Sequence, residues 1–100
     1  MAEAGQEAQR LDAWLWCARL RKTRADCARM VEGGAVRINR QPTDKPHARV
    51  RPGDVLTIAL GSGEAGRIAV WRVLSLAARR GPPAEARALY EVVDGSAPPA

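Results

Sequence analysis

Two consecutive glycines, Gly33 and Gly34, divide the first half of the chain into a stretch with helical periodicity and a stretch with strand alternation. Upstream of them, Leu11, Trp14, Leu15 and Ala18 recur at the i, i+3, i+4, i+7 spacing that lines one helix face, so a first helix is expected over about Leu11 to Leu20. Cys17 lies at the edge of that stripe and Trp16 falls off it, which leaves Trp16 either to pack against the C-terminal segment or to stack on a ligand. Arg21-Lys22 breaks the stripe with charge. Thr23 followed three residues later by Asp26 is a capping-box-like start to a second helix, whose apolar face is Cys27, Met30 and Val31. That helix stops at Gly33-Gly34, because glycine readily takes the left-handed conformation past a helix end. Val36-Arg37-Ile38-Asn39 then alternates apolar and polar, the period of a half-buried strand.

The remaining elements are short. Asn39-Arg40-Gln41-Pro42 reads as a turn, and Lys45-Pro46 as the start of an extended stretch, since proline biases its predecessor away from helix. Pro52-Gly53-Asp54 is a second turn, Val55 to Leu60 a strand, and residues 61–66 a loop. Ile68 to Leu76 forms a last strand with Ile68, Val70, Val73 and Leu76 as core candidates; Trp71, alternating against Val70, is expected on the outer face of the sheet. Arg79-Arg80-Gly81-Pro82-Pro83 breaks the sheet, and a helix follows from Pro83 or Ala84 through Tyr90. The expected fold is α+β: two short N-terminal helices packed on a small, mostly antiparallel twisted sheet, with a short C-terminal helix. Residues 1–9 read as a disordered leader, 10–60 as the functional domain, 61–93 as a strand and short-helix extension, and 94–100 as a flexible tail.

Charge is distributed unevenly over this plan. Residues 10–51 hold eleven Lys and Arg against four Asp and Glu, a net +7, while residues 52–100 balance five against five and residues 1–9 carry −2. A folded half with that excess suits a polyanion. The junction Arg19-Leu20-Arg21-Lys22-Thr23-Arg24 sets cations around the start of the second helix, where unpaired backbone N–H groups and the helix dipole already favour phosphate. Arg29 lies further along the same helix, opposite Cys27 and Val31, and Asn39, Arg40 and Lys45 extend the face. Asp12 serves either as first-turn dipole compensation or as a charge partner for Arg10 or Arg19. With three Trp, one Tyr and no Phe, the chain has few rings for stacking single-stranded bases, and structured A-form RNA recognised by shape fits better.

Other classes are disfavoured. One hundred residues allow one small domain and no large enclosed active site. There is no phosphate-cradling glycine loop, no H-x-E metal motif and no nucleophile with a base partner, so no enzyme activity, cofactor, metal or small-molecule substrate is expected. Cys17 and Cys27 lack metal-ligand spacing and are expected as small buried hydrophobes; His47, without a partner at a useful spacing, reads as a loop residue. No apolar run approaches the roughly 18 residues of a membrane span, and the acidic start is unlike a signal peptide, so no membrane partner and a cytoplasmic address are expected. A protein-interaction module would rest on an apolar interface, which the basic block opposes. A DNA-binding reading draws on the faint likeness of the helix pair to a helix-turn-helix, but the second helix offers few base-reading side chains beyond Arg29.

The run R-L-D-A-W-L-W-C-A-R-L-R-K-T-R, then G-G-A-V-R-I-N, then K-P and P-G-D, resembles the small RNA-binding domain first seen in small-subunit ribosomal protein four and shared by pseudouridine synthases and a tyrosyl-tRNA synthetase. The resemblance covers about residues 10–60. The W-L-W pair and R-R-G-P-P-A-E-A-R-A-L-Y further resemble the stand-alone fifteen-kilodalton heat-shock protein family of bacteria, out to about Tyr90. What the resemblance implies is an αα-plus-antiparallel-sheet fold that binds structured rRNA of free large ribosomal subunits still holding a nascent chain on tRNA, in recycling or rescue. Carried onto this chain, the implied RNA face is Arg10, Lys22, Thr23, Arg24, Arg29, Asn39 and Lys45, to which charge and position add Arg19, Arg21, Arg37 and Arg40. Peptidyl-tRNA is an implied second partner, and a monomer is expected. Two departures stand out. Asn39-Arg40 occupies a turn where the family has Asn-Gly, so a residue that resists positive φ sits where glycine is usual. The chain also stops soon after Tyr90, where some relatives continue into a longer basic extension, so contacts made by that extension are expected to be weaker or absent.

Overall fold

Leu11, Trp14 and Leu15, three positions of the first apolar stripe, are fully buried, and the rest of the fold is arranged around them. The computed structural model describes residues 7–60 and 67–93; the expected loop at 61–66, the tail from 94 and most of the leader lie outside the described residues. The elements run β1 (Gln9–Arg10), α1 (Leu11–Cys17), α2 (Arg24–Glu32), β2 (Val36–Ile38), β3 (Gln41–Thr43), β4 (Arg49–Val50), β5 (Val55–Ala59), β6 (Ile68–Val73), α3 (Pro83–Arg87) and β7 (Tyr90–Val92). Five strands form one antiparallel sheet in the order β3-β2-β5-β6-β7, and β1 pairs with β4 in a separate two-stranded ribbon. The fold is the expected α+β class. One core joins α1, Cys27 and Val31 of α2, Val50 of β4, and Val36, Leu56, Ile58 and Val73 of the sheet.

The two helices begin and end by local rules. Thr23 caps α2, its hydroxyl accepting from the Asp26 N–H at 3.0 Å, and Asp26 pairs with Arg29. Each helix ends in the pair of reversed hydrogen bonds that marks a left-handed residue past the terminus. In α2, Gly34 N–H donates to the Val31 carbonyl (2.9 Å) and Ala35 N–H to that of Met30 (3.0 Å). In α1, Arg19 N–H donates to Trp16 (2.9 Å) and Leu20 N–H to Leu15 (3.0 Å). The left-handed position is Gly34 (φ 85°) in one helix and Arg19 (φ 66°) in the other. This cap explains why α1 stops at Cys17 and not at Leu20.

Several sheet assignments differ from expectation, each because of pairing. Register sets Trp71 opposite Leu56, on the core side, so its ring packs edge-on to Trp14 (centroids 6.4 Å apart) and stacks on Tyr90 (3.9 Å) and does not cover the outer face. Tyr90 belongs to β7, since α3 ends at Arg87 and residues 90–92 pair with β6. Ile68, at the outer end of β6, is 60% exposed and no part of the core. Gln41 and Pro42 belong to β3, and Pro46-His47 is a turn, leaving only Arg49–Val50 extended. Gln9, counted with the leader, pairs with Val50, and its side chain exchanges two hydrogen bonds with the Ala77 backbone (2.8 and 3.1 Å).

The β2–β3 turn is held by its first residue. Asn39 Oδ1 accepts from the Val55 N–H (2.9 Å) and its Nδ2 donates to Asp54 (3.1 Å), fixing Asn39 at φ 51° and forcing Arg40 to φ 73°. Both central residues are left-handed, the geometry of a tight two-residue hairpin that favours Asn-Gly. For arginine this costs about 1–2 kcal/mol. Arg40→Gly is therefore expected to raise stability by about 0.5–1 kcal/mol, after the added freedom of glycine in the unfolded chain is deducted. A urea titration should show a higher midpoint at unchanged slope. A lower midpoint would mean that the Arg40 side chain makes a contact worth more than the strain.

Candidate nucleic-acid interface

Among the described residues Asp12 is the one buried acid, set in a basic neighbourhood with its side chain only 6% exposed. Arg10 grips both carboxylate oxygens (3.1 Å each), the Ala13 N–H adds a third bond (2.8 Å), and Arg24, the first residue of α2, lies 3.5 Å away. Asp12 thus pairs with Arg10, one of its two expected partners, and with Arg24 in place of Arg19. Burial alone would push this carboxyl up, but the Arg10 hydrogen bonds and the charges of Arg24 and Arg10 outweigh it and hold the group below its ordinary value. Two arginines from different elements are thereby fixed side by side with their outer edges in solvent.

The loop after β3 closes over the same end of α1. Leu11 N–H donates to Ala48 (2.7 Å) and Asp12 N–H to Pro46 (3.1 Å), so the first donors of α1 are consumed by the protein. In α2, Thr23 takes the Asp26 N–H, and those of Arg24 and Ala25 have no protein partner among the described residues. The anion-attracting helix start expected from the sequence is therefore that of α2. Lys45 adjoins Pro46, exposed and loosely paired with Asp44 (3.7 Å).

The other candidates are placed unequally. Lys22 and Arg21 are exposed on the turn before α2; Arg21 Nε donates to the Met30 sulfur (3.1 Å), while the Lys22 carbonyl accepts from the Trp16 indole (3.3 Å). Arg29 is exposed on α2 beside Asp26. Arg19 turns away toward the C-terminal segment, donating to the Gly81 carbonyl (2.8 Å). Asn39 spends its side chain on Asp54 and Val55, and Thr23 on its cap. Arg37 and Arg40 are exposed at the hairpin, and no hydrogen bond or ion pair among the described residues joins them to the helix cations.

Two cations escaped the sequence reading. Arg49 is the register partner of Arg10 across the β1–β4 ribbon, so two arginines project from the same face. Its charge was visible; the pairing that brings it beside Arg10 spans forty residues and carries no local signal. Arg80 reaches back over α1, its guanidinium 5.5 Å from the Trp16 ring centre, its Nε on the Trp16 carbonyl (3.1 Å) and Nη2 on that of Arg21 (3.3 Å). Trp16 thus packs against the C-terminal segment, the first of its two expected roles. Both thiols are buried and pushed up by that burial.

Residues 9–56 match the model of the S4 domain. The structure superposes on heat shock protein 15 of Vibrio cholerae, solved as a trimer, with a TM-score of 0.77 and 37% identity over 90% of this chain and 86% of that one. The chain belongs to the heat shock protein 15 family. Heat shock protein 15 of Escherichia coli K12 is 43% identical over 82 residues, covering 82% of this chain and 58% of that protein. The heat shock protein 15 homolog of Aeromonas salmonicida is 37% identical, covering 87% of this chain and 62% of its own length. The chain thus spans about three fifths of these curated relatives. In heat shock protein 15 terms, the Asp12 node lies inside the S4 segment and Arg80 lies beyond it.

The lowered carboxyl of Asp12 makes a prediction with a sign. The unfolded chain binds this proton near the ordinary value of 3.8 and the native protein only at lower pH. Its contribution is therefore fully present above about pH 4 and lost as pH falls through the lowered native value. Asp12→Asn should cost about 1–3 kcal/mol at pH 7 and less at pH 3. Urea unfolding at the two pH values reads this; an equal loss at both would assign the effect to shape and not charge. Asp26, held low by the Thr23 hydroxyl and Arg29, keeps part of the acid sensitivity in the variant.

Proposed function

We propose that this chain is a non-enzymatic RNA-binding protein that docks on structured rRNA of the free large ribosomal subunit, in the state that holds a nascent chain on tRNA, and aids recycling or rescue of stalled subunits. The observation that carries this reading is the like-charge geometry at the start of the helices. Arg10 and Arg49 face each other across a ribbon, Arg24 stands beside Arg10, and one buried carboxylate serves both Arg10 and Arg24. Like charges in direct opposition weaken a ribbon, and a phosphate backbone would relieve them. The binding face we assign is Arg10, Arg24, Arg49 and Lys22, flanked by Arg21, Arg29 and Lys45.

The aromatic residues support duplex over single-stranded RNA. Trp14, Trp71 and Tyr90 pack on one another and Trp16 lies under Arg80, so no ring is left as a platform for bases. No helix among the described residues is long and apolar enough to cross a membrane, and we place the protein in the cytoplasm with the ribosomes. We take the free chain to be a monomer, whereas the Vibrio cholerae protein was solved as a trimer.

Sedimentation with large subunits, empty or loaded with peptidyl-tRNA, across a salt series tests the reading. Salt-sensitive binding that prefers loaded subunits is expected. Equal binding to any structured RNA would reduce the role to a general RNA module, and no binding at low salt would remove the ribosome altogether. Lys22→Glu should weaken binding by about 1–3 kcal/mol without loss of melting temperature. Arg24 is tied to Asp12 and is better tested as Arg24→Gln, which spares the buried carboxylate a repulsive neighbour.

A further inference from the structure

Between the end of α1 and residues 79–81 lies an open cleft of about 430 Å³ lined by Arg19, Leu20, Arg21, Lys22 and Arg80. Four of its five lining residues are cations, and none of the four forms an ion pair among the described residues. The Glu85 side chain fills the space a Cβ of Gly81 would take, and it forms no ion pair with these four among the described residues. The arginines are anchored by part of their donor set only. Arg19 uses Nε on Gly81 (2.8 Å), Arg21 uses Nε on Met30 (3.1 Å), and Arg80 uses Nε and Nη2 on two carbonyls (3.1 and 3.3 Å). A guanidinium has five N–H donors, so each is held in place while keeping donors for a ligand.

The backbone points to the same cleft. α1 and α2 end with the same left-handed cap, and α2 fills it with Gly34, the residue that adopts it without strain. The α1 cap holds Arg19 at φ 66°, at a cost that glycine would remove. What the arginine adds there is its side chain, bonded to Gly81 and lining the cleft.

We propose that this cleft is a second phosphate-binding subsite, taking a backbone phosphate of the bound RNA and extending the contact surface beyond the S4 segment through Arg80. The inference rests on the RNA-binding reading above and deepens it. The Trp16 indole, under Arg80 and donating to Lys22 (3.3 Å), is a built-in reporter of the cleft.

The test uses the full chain, a short RNA hairpin and inorganic phosphate. Two-dimensional NMR follows the Trp16 indole N–H, and fluorescence anisotropy gives RNA affinity as a function of salt for the parent chain, Arg19→Gly, Arg80→Ala and Arg24→Gln. RNA should shift the Trp16 signal. Arg80→Ala and Arg19→Gly should each lower affinity about five- to tenfold and reduce the salt slope by about one, as for the loss of one phosphate contact. Arg80→Ala also removes two backbone ties and Arg19→Gly only one, and because Arg19→Gly relieves strain at the same time it should keep the melting temperature near that of the parent and so separates binding from folding. If Arg24→Gln weakens binding while both cleft variants keep the parent affinity and slope, the subsite is refuted and the RNA reading stands. A Trp16 shift with inorganic phosphate but not with RNA would refute an RNA subsite in favour of a free-anion site. A parent chain that binds no RNA at low salt overturns both readings.

Discussion

A single carboxylate buried among arginines holds the basic half of this protein together. Removing a charge from water costs several kcal/mol unless hydrogen bonds and opposite charges replace the solvent, and Asp12 has both in Arg10, Ala13 and Arg24. Those partners come from three successive elements, so the ion group fixes β1, α1 and α2 relative to one another. It also decides which arginines point outward and with which edge. Stability and the binding surface are consequently coupled through Asp12: a change at this residue alters the presentation of two cations that it does not itself contribute.

The same coupling recurs at the other end of α1. Arg80 lies on Trp16 and bonds the backbone of Trp16 and Arg21, while Arg19 bonds Gly81. The segment between β6 and β7 is therefore a structural wall of the basic region and not a separate appendage. Cation–π and charge–carbonyl contacts of this kind are each modest, but they place guanidinium groups with fewer free rotors, which lowers the entropy lost on binding phosphate.

What could be read from the residues divides along the range of the interactions. Thr23 as a cap, Gly34 as a stop, the buried stripe of Leu11, Trp14 and Leu15, and the strand at Val36 were legible because each depends on neighbours within a turn or a pleat. Trp71 was put on the wrong face because the face of a strand residue depends on register against a distant strand, and a slip of one residue reverses it; Tyr90 was put in the wrong element because its helix-favouring neighbours carry no sign of the strand it pairs with. The candidate site follows the same division. Its cations were countable, but the assignment of Arg24 to Asp12, of Arg19 to Gly81 and of Arg49 to a place beside Arg10 needed the tertiary fold. Asn39 shows the other side of this: a polar residue at an exposed turn, expected on the RNA face, has its side chain engaged in shaping the turn itself.

The order of strands has a consequence for how the chain comes to be folded. Trp14 completes its surroundings with Ser75 (2.9 Å), Trp71 and Tyr90, and Gln9 closes on Ala77, partners 57 to 76 positions later. Loops of that length must close before the first helix has a finished environment, so assembly is governed by late, distant contacts and not by the helix pair alone. During synthesis α1 and α2 emerge early, with half of the tryptophan cage missing. The buried core can be completed only once residue 73 has cleared the exit tunnel, and the aromatic stack over it only once residue 90 has; until then the N-terminal helices present an apolar stripe to whatever surrounds the nascent chain.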